Sequence, residues 1–371
     1  MKPYLIDTTL RDGMQAPGVV FTRRERLRIA SLLDEFGIDE IEAGVPAMGM
    51  DEQGDIMATA RLRLSCRLTA WCRADKSDIE AAERCKTDSV HISFPVSKIL
   101  LDTVGKNEAW LFSACETLVS QAAERFAFVS VGGQDATRAS AALVRKFAAH
   151  AAQCGAKRFR IADTVGIAAP MEVAAMVRSL KRPGMPQIEF HGHNDLGMAS
   201  ANAVTALFAG ANAVSVTVNG FGERAGNAAL EEVVMALRVR AASQIKYNVR
   251  LLPALCKYVA SAAKRPLCFS KPVVGEGIFE HESGIHCDGL IKNPKSFQPF
   301  LPQEIGRGRF SLKAGYHSGS AGIRKMLADL GERISSKEAK ALVDKVKGAA
   351  RRKKGTLTNK ELLKLLFALR G

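Results

Sequence analysis

Two histidines spaced two apart, His191 and His193, close an apolar run in the stretch Phe190-His191-Gly192-His193-Asn194-Asp195. Residues 186–190 read as a strand, and side chains two apart on a strand point to the same face. The pair therefore presents two imidazoles to one point, a spacing suited to a single divalent metal. Taken alone, the same spacing also fits a structural pair, buried or facing solvent. Asp12, in Asp7-Thr8-Thr9-Leu10-Arg11-Asp12-Gly13-Met14-Gln15, would complete a two-histidine, one-carboxylate set with positions left open for substrate and water. By itself it fits a helix cap or loop residue equally well. Arg11, next in the chain, suits a carboxylate or a developing oxyanion, because a guanidinium stays charged and offers a fork of donors. Asn227, ending Gly220-Phe221-Gly222-Glu223-Arg224-Ala225-Gly226-Asn227, fits either a helix cap or an amide oxygen on the metal. Thr164, after Asp163, could donate its hydroxyl to a substrate carboxylate.

These residues can meet only if the fold gathers them. Short β-rich runs at 4–7, 40–44, 68–72, 89–94, 127–131, 158–162, 187–191 and 213–218 alternate with amphipathic stretches such as 23–36, 109–123, 137–152, 171–180, 198–209 and 228–242. Eight strands, each followed by a helix, is the count that closes a (β/α)8 TIM barrel, whose working residues gather at the C-terminal strand ends. In such a barrel the first and seventh strands lie close together, which brings Asp12 to the histidines. A doubly wound open sheet is the alternative, but no G-x-G-x-x-G fingerprint follows the first strand. The pattern changes near residue 265. A Gly-rich stretch from Lys271 to Gly289 and prolines at 294, 299 and 302 precede helical periodicity at 321–330, 336–347 and 359–369. The expected organisation is a catalytic barrel over 1–265, a linker or lid contributing to the active site over 266–319, and a small helical C-terminal subdomain over 320–371.

The chain has 371 residues, 47% hydrophobic and 25% charged, which is ordinary for a globular enzyme. No apolar run is long enough to cross a membrane, and Met1-Lys2-Pro3-Tyr4 leads directly into a strand, leaving no room for a signal peptide. Eight scattered cysteines with no C-x-x-C pair read as reduced, mostly buried thiols, so a cytoplasmic location is expected. The net charge of +15 is concentrated near Lys345, Lys347, Arg351, Arg352, Lys353 and Lys354. That stretch offers few aromatics, so it reads as a solvated face rather than a nucleic-acid site.

Five motifs then match one family in order: Asp7-Thr-Thr-Leu-Arg-Asp-Gly-Met-Gln15, Ile161-Ala-Asp-Thr-Val-Gly166, His191-Gly-His-Asn-Asp195, Val218-Asn-Gly-Phe-Gly-Glu-Arg-Ala-Gly-Asn227 and Gly284-Ile-His-Cys-Asp-Gly289. They resemble the metal-dependent acyl-CoA-condensing barrels, which include the 2-isopropylmalate, citramalate and homocitrate synthases. Ala70-Trp-Cys-Arg73, Phe94-Pro-Val-Ser97, Lys271-Pro-Val-Val-Gly275 and Gly315-Tyr-His-Ser-Gly319 look most like the homocitrate synthases of the nitrogen-fixation type. The end near residue 371 fits that type too, since isopropylmalate synthases generally add a regulatory domain.

The resemblance implies a Claisen-type condensation of acetyl-CoA with a 2-oxoacid, 2-oxoglutarate first, followed by thioester hydrolysis. Citramalate, isopropylmalate or citrate formation are the alternatives within the family. Asp12, His191 and His193 would be ligands of Mg, Mn or Zn, with Asn227 a fourth. Arg11 would support the oxyanion, Gln15 and Thr164 would orient the oxoacid, and His286 would reach in from the partner of a homodimer for acid–base chemistry. His281 reads as a structural loop histidine. The sequence departs from the family in the loop after the fifth strand, where Gln134 stands in place of a catalytic glutamate and an amide cannot act as a carboxylate base. Ser130 stands where lysine-pathway enzymes carry arginine, which leaves Arg73 to meet a distal substrate carboxylate. Tyr316 replaces a common lysine. Two readings of other classes remain: a metal-dependent carbon–carbon lyase, although residues 221–227 lack the cysteine of the related lyases, and a non-catalytic metal- or acyl-CoA-binding protein.

Overall fold

A computed structural model of the chain describes residues 3–241 and 245–371; Met1, Lys2 and the last expected helical residue near 242 lie outside them. The chain divides into two compact units, Met1–Leu267 and Cys268–Gly371. The first is the expected barrel. Strands β1 (Tyr4–Asp7), β2 (Glu40–Gly44), β3 (Arg67–Arg73), β4 (Ser89–Pro95), β5 (Phe128–Gln134), β6 (Arg158–Asp163), β7 (Gln187–Gly192) and β8 (Ala213–Val216) pair in sequence order, all parallel. The ring closes where Tyr4 to Asp7 register with Ala213 to Val216.

Helices α1 (Arg23–Phe36), α2 (Met50–Ala60), α3 (Lys76–Arg84), α4 (Lys98–Thr103), α5 (Glu108–Arg125), α6 (Ala141–Gln153), α7 (Pro170–Leu180), α8 (Ala199–Ala209), α9 (Leu230–Ala241) and α10 (Leu252–Ala262) belong to the same unit. Their starts are written locally. Thr22 and Glu25 form a reciprocal capping box on α1, while Asn107 and Ser140 cap α5 and α6 by accepting a backbone N–H three residues on. α2, α3 and α4 lie beyond the helices read from the sequence. β5 also runs three residues further than expected, so Gln134 is the last strand residue and not part of the following loop. Gly132 and Gly133 disguise that extension, yet Gly132 is required: a Cβ there would lie 2.5 Å from His91 Nε2.

The barrel's inward face is charged. Arg158 grips Glu40 with Nη1 and Nη2 at 2.9 and 2.6 Å and reaches Glu189 with Nε at 2.8 Å. Arg160 donates Nε to Glu189 at 2.5 Å and Nη2 to Glu42. Ser215 also donates to Glu189. All of these side chains are buried. Parallel strands covered on both faces usually read as continuous apolar runs; here Glu40-Ile-Glu42 and Arg158-Phe-Arg160 alternate charge inward with apolar side chains outward.

In the second unit, α12 (Ser320–Asp329), α13 (Ser336–Lys353) and α14 (Asn359–Arg370) match the expected helices, and capping boxes from Ser335 and Thr358 start the last two. Its core gathers Ile323, Leu327, Leu342, Val346, Leu357, Leu362 and Leu366. The preceding stretch is less irregular than its composition promises, because Gly284–Lys292 forms helix α11. Gly284 permits this by close approach, as a Cβ there would meet Gly319 Cα at 3.0 Å.

Candidate metal centre

At the C-terminal end of the barrel, the loop after β1 and the end of β7 bring Asp12, His191 and His193 together. His191 Nε2 stands 3.3 Å and His193 Nε2 3.8 Å from Asp12 Oδ2, and the two imidazole nitrogens are 3.4 Å apart. Each offers one ligand atom within 4.8 Å of the others, and all three residues are buried. His191 is still on β7 and His193 just beyond it, where His193 pairs with Asn227 across an isolated bridge. Thus the loop after β8 carries Asn227 to the histidines.

The unmet polar atoms converge on the same place. Asp12 Oδ1, His193 Nδ1 and Asn227 Oδ1 are buried without a hydrogen-bond partner. Asn227 spends its amide N–H₂ on the Phe221 carbonyl at 3.0 Å, leaving its oxygen as the available group. Gly222 is small for this reason: a Cβ there would sit 2.1 Å from Asn227 Nδ2 and 3.1 Å from Asp12 Oδ1. Orphaned buried acceptors cost about 1–3 kcal/mol each unless something satisfies them, and a divalent cation would satisfy the Asp12 and Asn227 oxygens together, with His193 offering Nε2. The residues fit such an ion.

Charge favours it as well. Burial pushes the Asp12 carboxyl up, but Arg11 and then the two histidines outweigh this and hold it well below the usual range. Burial, with His191 beside it, pushes His193 down to about 4. A carboxylate at Asp12 and a neutral imidazole at His193 are forms a metal needs. Arg11 is anchored rather than exposed, with Nη1 donating to Asp12 Oδ2 and Nε to Glu42 Oε2, both at 2.8 Å, and with its guanidinium 5.5 Å from the Trp71 ring centroid.

The other expected residues come from further strands and loops. Thr164 is half-buried after β6, where its hydroxyl accepts the Asp135 N–H at 2.8 Å and keeps its own proton to donate. Gln15 is exposed in a short 3-10 turn. Gln134 is half-buried and shares the inward parity of Ser130 and Gly132. Ser130 points into the barrel, 3.0 Å from His91 Nδ1. Arg73 ends β3 with its side chain exposed and its fork already closed on Asp78, Nε at 2.9 Å and Nη2 at 2.8 Å. His286 belongs to the second unit, exposed on α11 against the Phe297 ring at 4.4 Å between centroids.

Three contributors were not singled out from the sequence. Glu42 holds Arg11; burial raises its carboxyl, but Arg11 and Arg160 outweigh that and lower it. Arg224 donates to Asp195 at 2.8 and 3.1 Å and to the Thr164 carbonyl at 2.7 Å, tying together the loops after β6, β7 and β8. Gly166, at φ +64°, lets the β6 loop pass under the histidine loop, since a Cβ would lie 2.5 Å from Asp195 Oδ2. Inward parity was the available signal for Glu42; for Arg224 there was none beyond its place in the glycine-rich loop.

Comparison with known proteins decides the lineage. Residues 2–259 match the HMGL-like family and residues 273–354 the homocitrate synthase post-HMGL domain-like family. The chain belongs to the HMGL-like family. Within it, the chain falls among the isopropylmalate, citramalate and homocitrate synthases. It is 41% identical to homocitrate synthase 1 of Nostoc sp., over 98% of this chain and 97% of that one. It is 42% identical to 2-isopropylmalate synthase 2 of Caldanaerobacter subterraneus subsp. tengcongensis, over 98% and 94%. Chain length therefore does not separate the two activities. Among solved structures, hydroxymethylglutaryl-CoA lyase of Pseudomonas aeruginosa aligns with a TM-score of 0.64 at 18% identity, covering 71% of this chain and 94% of that one, which shows the shared fold. This HMGL-like chain is an enzyme of an acyltransferase family that depends on metal, consistent with the ligand set at its barrel mouth. Among the described residues no helix is long and apolar enough to cross a membrane.

Proposed function

We propose that the chain condenses acetyl-CoA with a 2-oxoacid, 2-oxoglutarate to homocitrate first, and then hydrolyses the thioester to release CoA. The reading rests chiefly on the buried Asp12, His191, His193 and Asn227 set beside Arg11, in a chain that matches homocitrate synthases over nearly its whole length. When bound there, a divalent cation (Mg, Mn or Zn) supplies Lewis-acid polarisation of the oxoacid carbonyl.

The chain's own groups supply the rest. Arg11 is fixed by Glu42 and Asp12, so its charge needs no reorganisation as negative charge develops on the former carbonyl oxygen. Thr164 Oγ and the Gln15 amide orient the oxoacid carboxylate. Condensation removes a proton from the acetyl methyl, forms a carbon–carbon bond to C2 of the oxoacid, and protonates the resulting alkoxide; water then displaces CoA as its thiol. Gln134 can orient these partners but cannot take the proton. That proton falls to His286 of a second copy in a homodimer, where an imidazole suits acid–base work. In support, His286 and its neighbour Ile285 are both exposed on α11.

A different oxoacid is the second reading, favoured by Ser130 and Arg73. Ser130 is turned toward His91, and two of Arg73's three nitrogens are held by Asp78, so a distal carboxylate has only Nη1 there unless Asp78 yields. A CoA-release assay with added metals and with glyoxylate, pyruvate, oxaloacetate, 2-oxoisovalerate and 2-oxoglutarate tests both readings. Release with 2-oxoglutarate is expected, another preferred oxoacid selects the second reading, and no release with any of them ends both. In the same assay Q134E is expected to speed turnover by about 10²-fold or more, the worth of a placed general base.

A further inference from the structure

On the outside of the barrel, α5 and α6 carry a second cluster of metal-ligating side chains. Cys115 comes from the middle of α5, His150 from the last turn of α6, and Cys154 caps that helix four residues on. Residues four apart on a helix lie one above the other, so His150 and Cys154 form one face of the cluster and Cys115 the other. The Cys154 Sγ to His150 Nε2 distance is 3.7 Å, and all three ligand atoms lie within 4.8 Å of one another. The two helices are clamped at this point. Gly155, at φ +106°, follows Cys154, and a Cβ there would meet Ala123 Cβ at 2.9 Å. Among the described residues this is one of two groups able to hold a metal, and the only one that contains sulfur.

We propose that Cys115, His150 and Cys154 form a structural site for a thiophilic d¹⁰ cation, Zn²⁺, that cross-links α5 to α6. With Zn–S near 2.3 Å and Zn–N near 2.0 Å, tetrahedral ligands stand roughly 3.5 Å apart. The observed spacing needs a contraction of about an ångström at most. Two thiolates and a neutral imidazole cancel the charge of Zn²⁺, which suits a position where Cys115 is buried and its partners half-buried. Burial raises both thiols, so without metal they remain protonated, and loading releases two protons. One interaction is exchanged: His150 Nε2 lies 3.2 Å from the Phe112 carbonyl, and binding moves the ring proton to Nδ1 so that Nε2 can offer its lone pair. Water fills the fourth position, while Glu116, exposed next to Cys115 in the chain, acts on both thiols through its charge.

Cobalt distinguishes this site from the barrel mouth, because only a thiolate site gives a sulfur-to-cobalt charge-transfer band. The full-length protein, stripped with chelator and titrated with Co²⁺, is expected to bind two equivalents, one of which raises the band. Zn²⁺ should then bleach it. C115S/C154S should abolish the band and keep the other equivalent, whereas D12N/H191Q should do the reverse. If the buried Cys115 cannot be replaced without unfolding, C154S and H150Q, at half-buried positions, are expected to weaken that equivalent by on the order of tenfold or more. Absence of the band, or its survival in C115S/C154S but loss in C268S at the exposed cysteine, overturns the proposal and leaves Cys115 and Cys154 as packing residues.

Discussion

The two units of this chain solve the problem of an interior in opposite ways. The second unit packs a stripe of Leu342, Val346, Leu362 and Leu366 into an apolar core, where each side chain is defined mainly by its volume. The barrel fills its axis with a chain of opposite charges: Glu40, Arg158, Glu189, Arg160, Glu42, Arg11 and Asp12, each within ion-pair distance of the next. An apolar core tolerates exchange of one hydrocarbon for another. A buried ladder does not, because removing any rung leaves a charge without a partner in a low dielectric. The difference has a functional side. The ladder's last rungs, Arg11 and Asp12, are the first groups of the metal centre, so the barrel's interior aims that centre, whereas the second unit's core contains none of the expected site residues.

The largest effect that would sharpen this contrast is expected from D12N. CoA release should fall by on the order of 10³-fold, as several kcal/mol of charge stabilisation at the carbonyl is lost, while far-ultraviolet circular dichroism stays that of the folded barrel. Loss of folding instead would mean that Asp12 is a structural rung only. Next comes E189Q, which takes a carboxylate from Arg158 and Arg160 at once. It is expected to lower barrel stability in urea by about 3–5 kcal/mol, and a change below 1 kcal/mol would show that the ladder tolerates exchange as the apolar core does. L342A in the second unit should cost about 2–5 kcal/mol through its cavity. Its transition alone should move, with metal binding at the barrel mouth unchanged by calorimetry. A drop in metal affinity would break the separation drawn between the two interiors.

The gentlest expected effect, at most about 1.4 kcal/mol within any one pH unit, is a slope from Asp7, the carboxylate at the end of β1. Burial pushes it up to about 7, against its hydrogen bonds from the Thr9 N–H and hydroxyl. Between pH 3.8 and 7 the folded barrel therefore holds a proton that the unfolded chain has lost. This group's contribution is complete below pH 3.8 and declines as pH rises to 7, by at most about 1.4 kcal/mol per pH unit. D7N should flatten that part of a stability–pH curve measured by denaturant midpoints; an unchanged slope would assign it elsewhere.

Much of the barrel was legible because strands and helices announce themselves locally. Glu40–Gly44 and Arg23–Phe36 were read to the residue, since Gly37 ends the helix in a left-handed turn and Thr22 starts it with a capping box. The centre was legible in part: H-x-H and Asp12 were visible as chemistry, and barrel closure makes them neighbours. What stayed hidden depends on partners far away in the chain. Parity puts Glu40 on the inward face with Glu42, but nothing near it shows what makes its burial tolerable, because Arg158, 118 residues later, neutralises it. Cys115 and Cys154 were among the scattered thiols, and only the packing of α5 on α6 brings them and His150 into a cluster. Arg73 shows the reverse case. It stood where a substrate-binding arginine was wanted, but Asp78, five residues on, closes its fork. By itself the sequence determined the periodicities, the caps and the donor types, which are local properties of a few consecutive residues. Tertiary structure alone decided which charges are buried in pairs and which ligands converge, since both are set by distances across the fold.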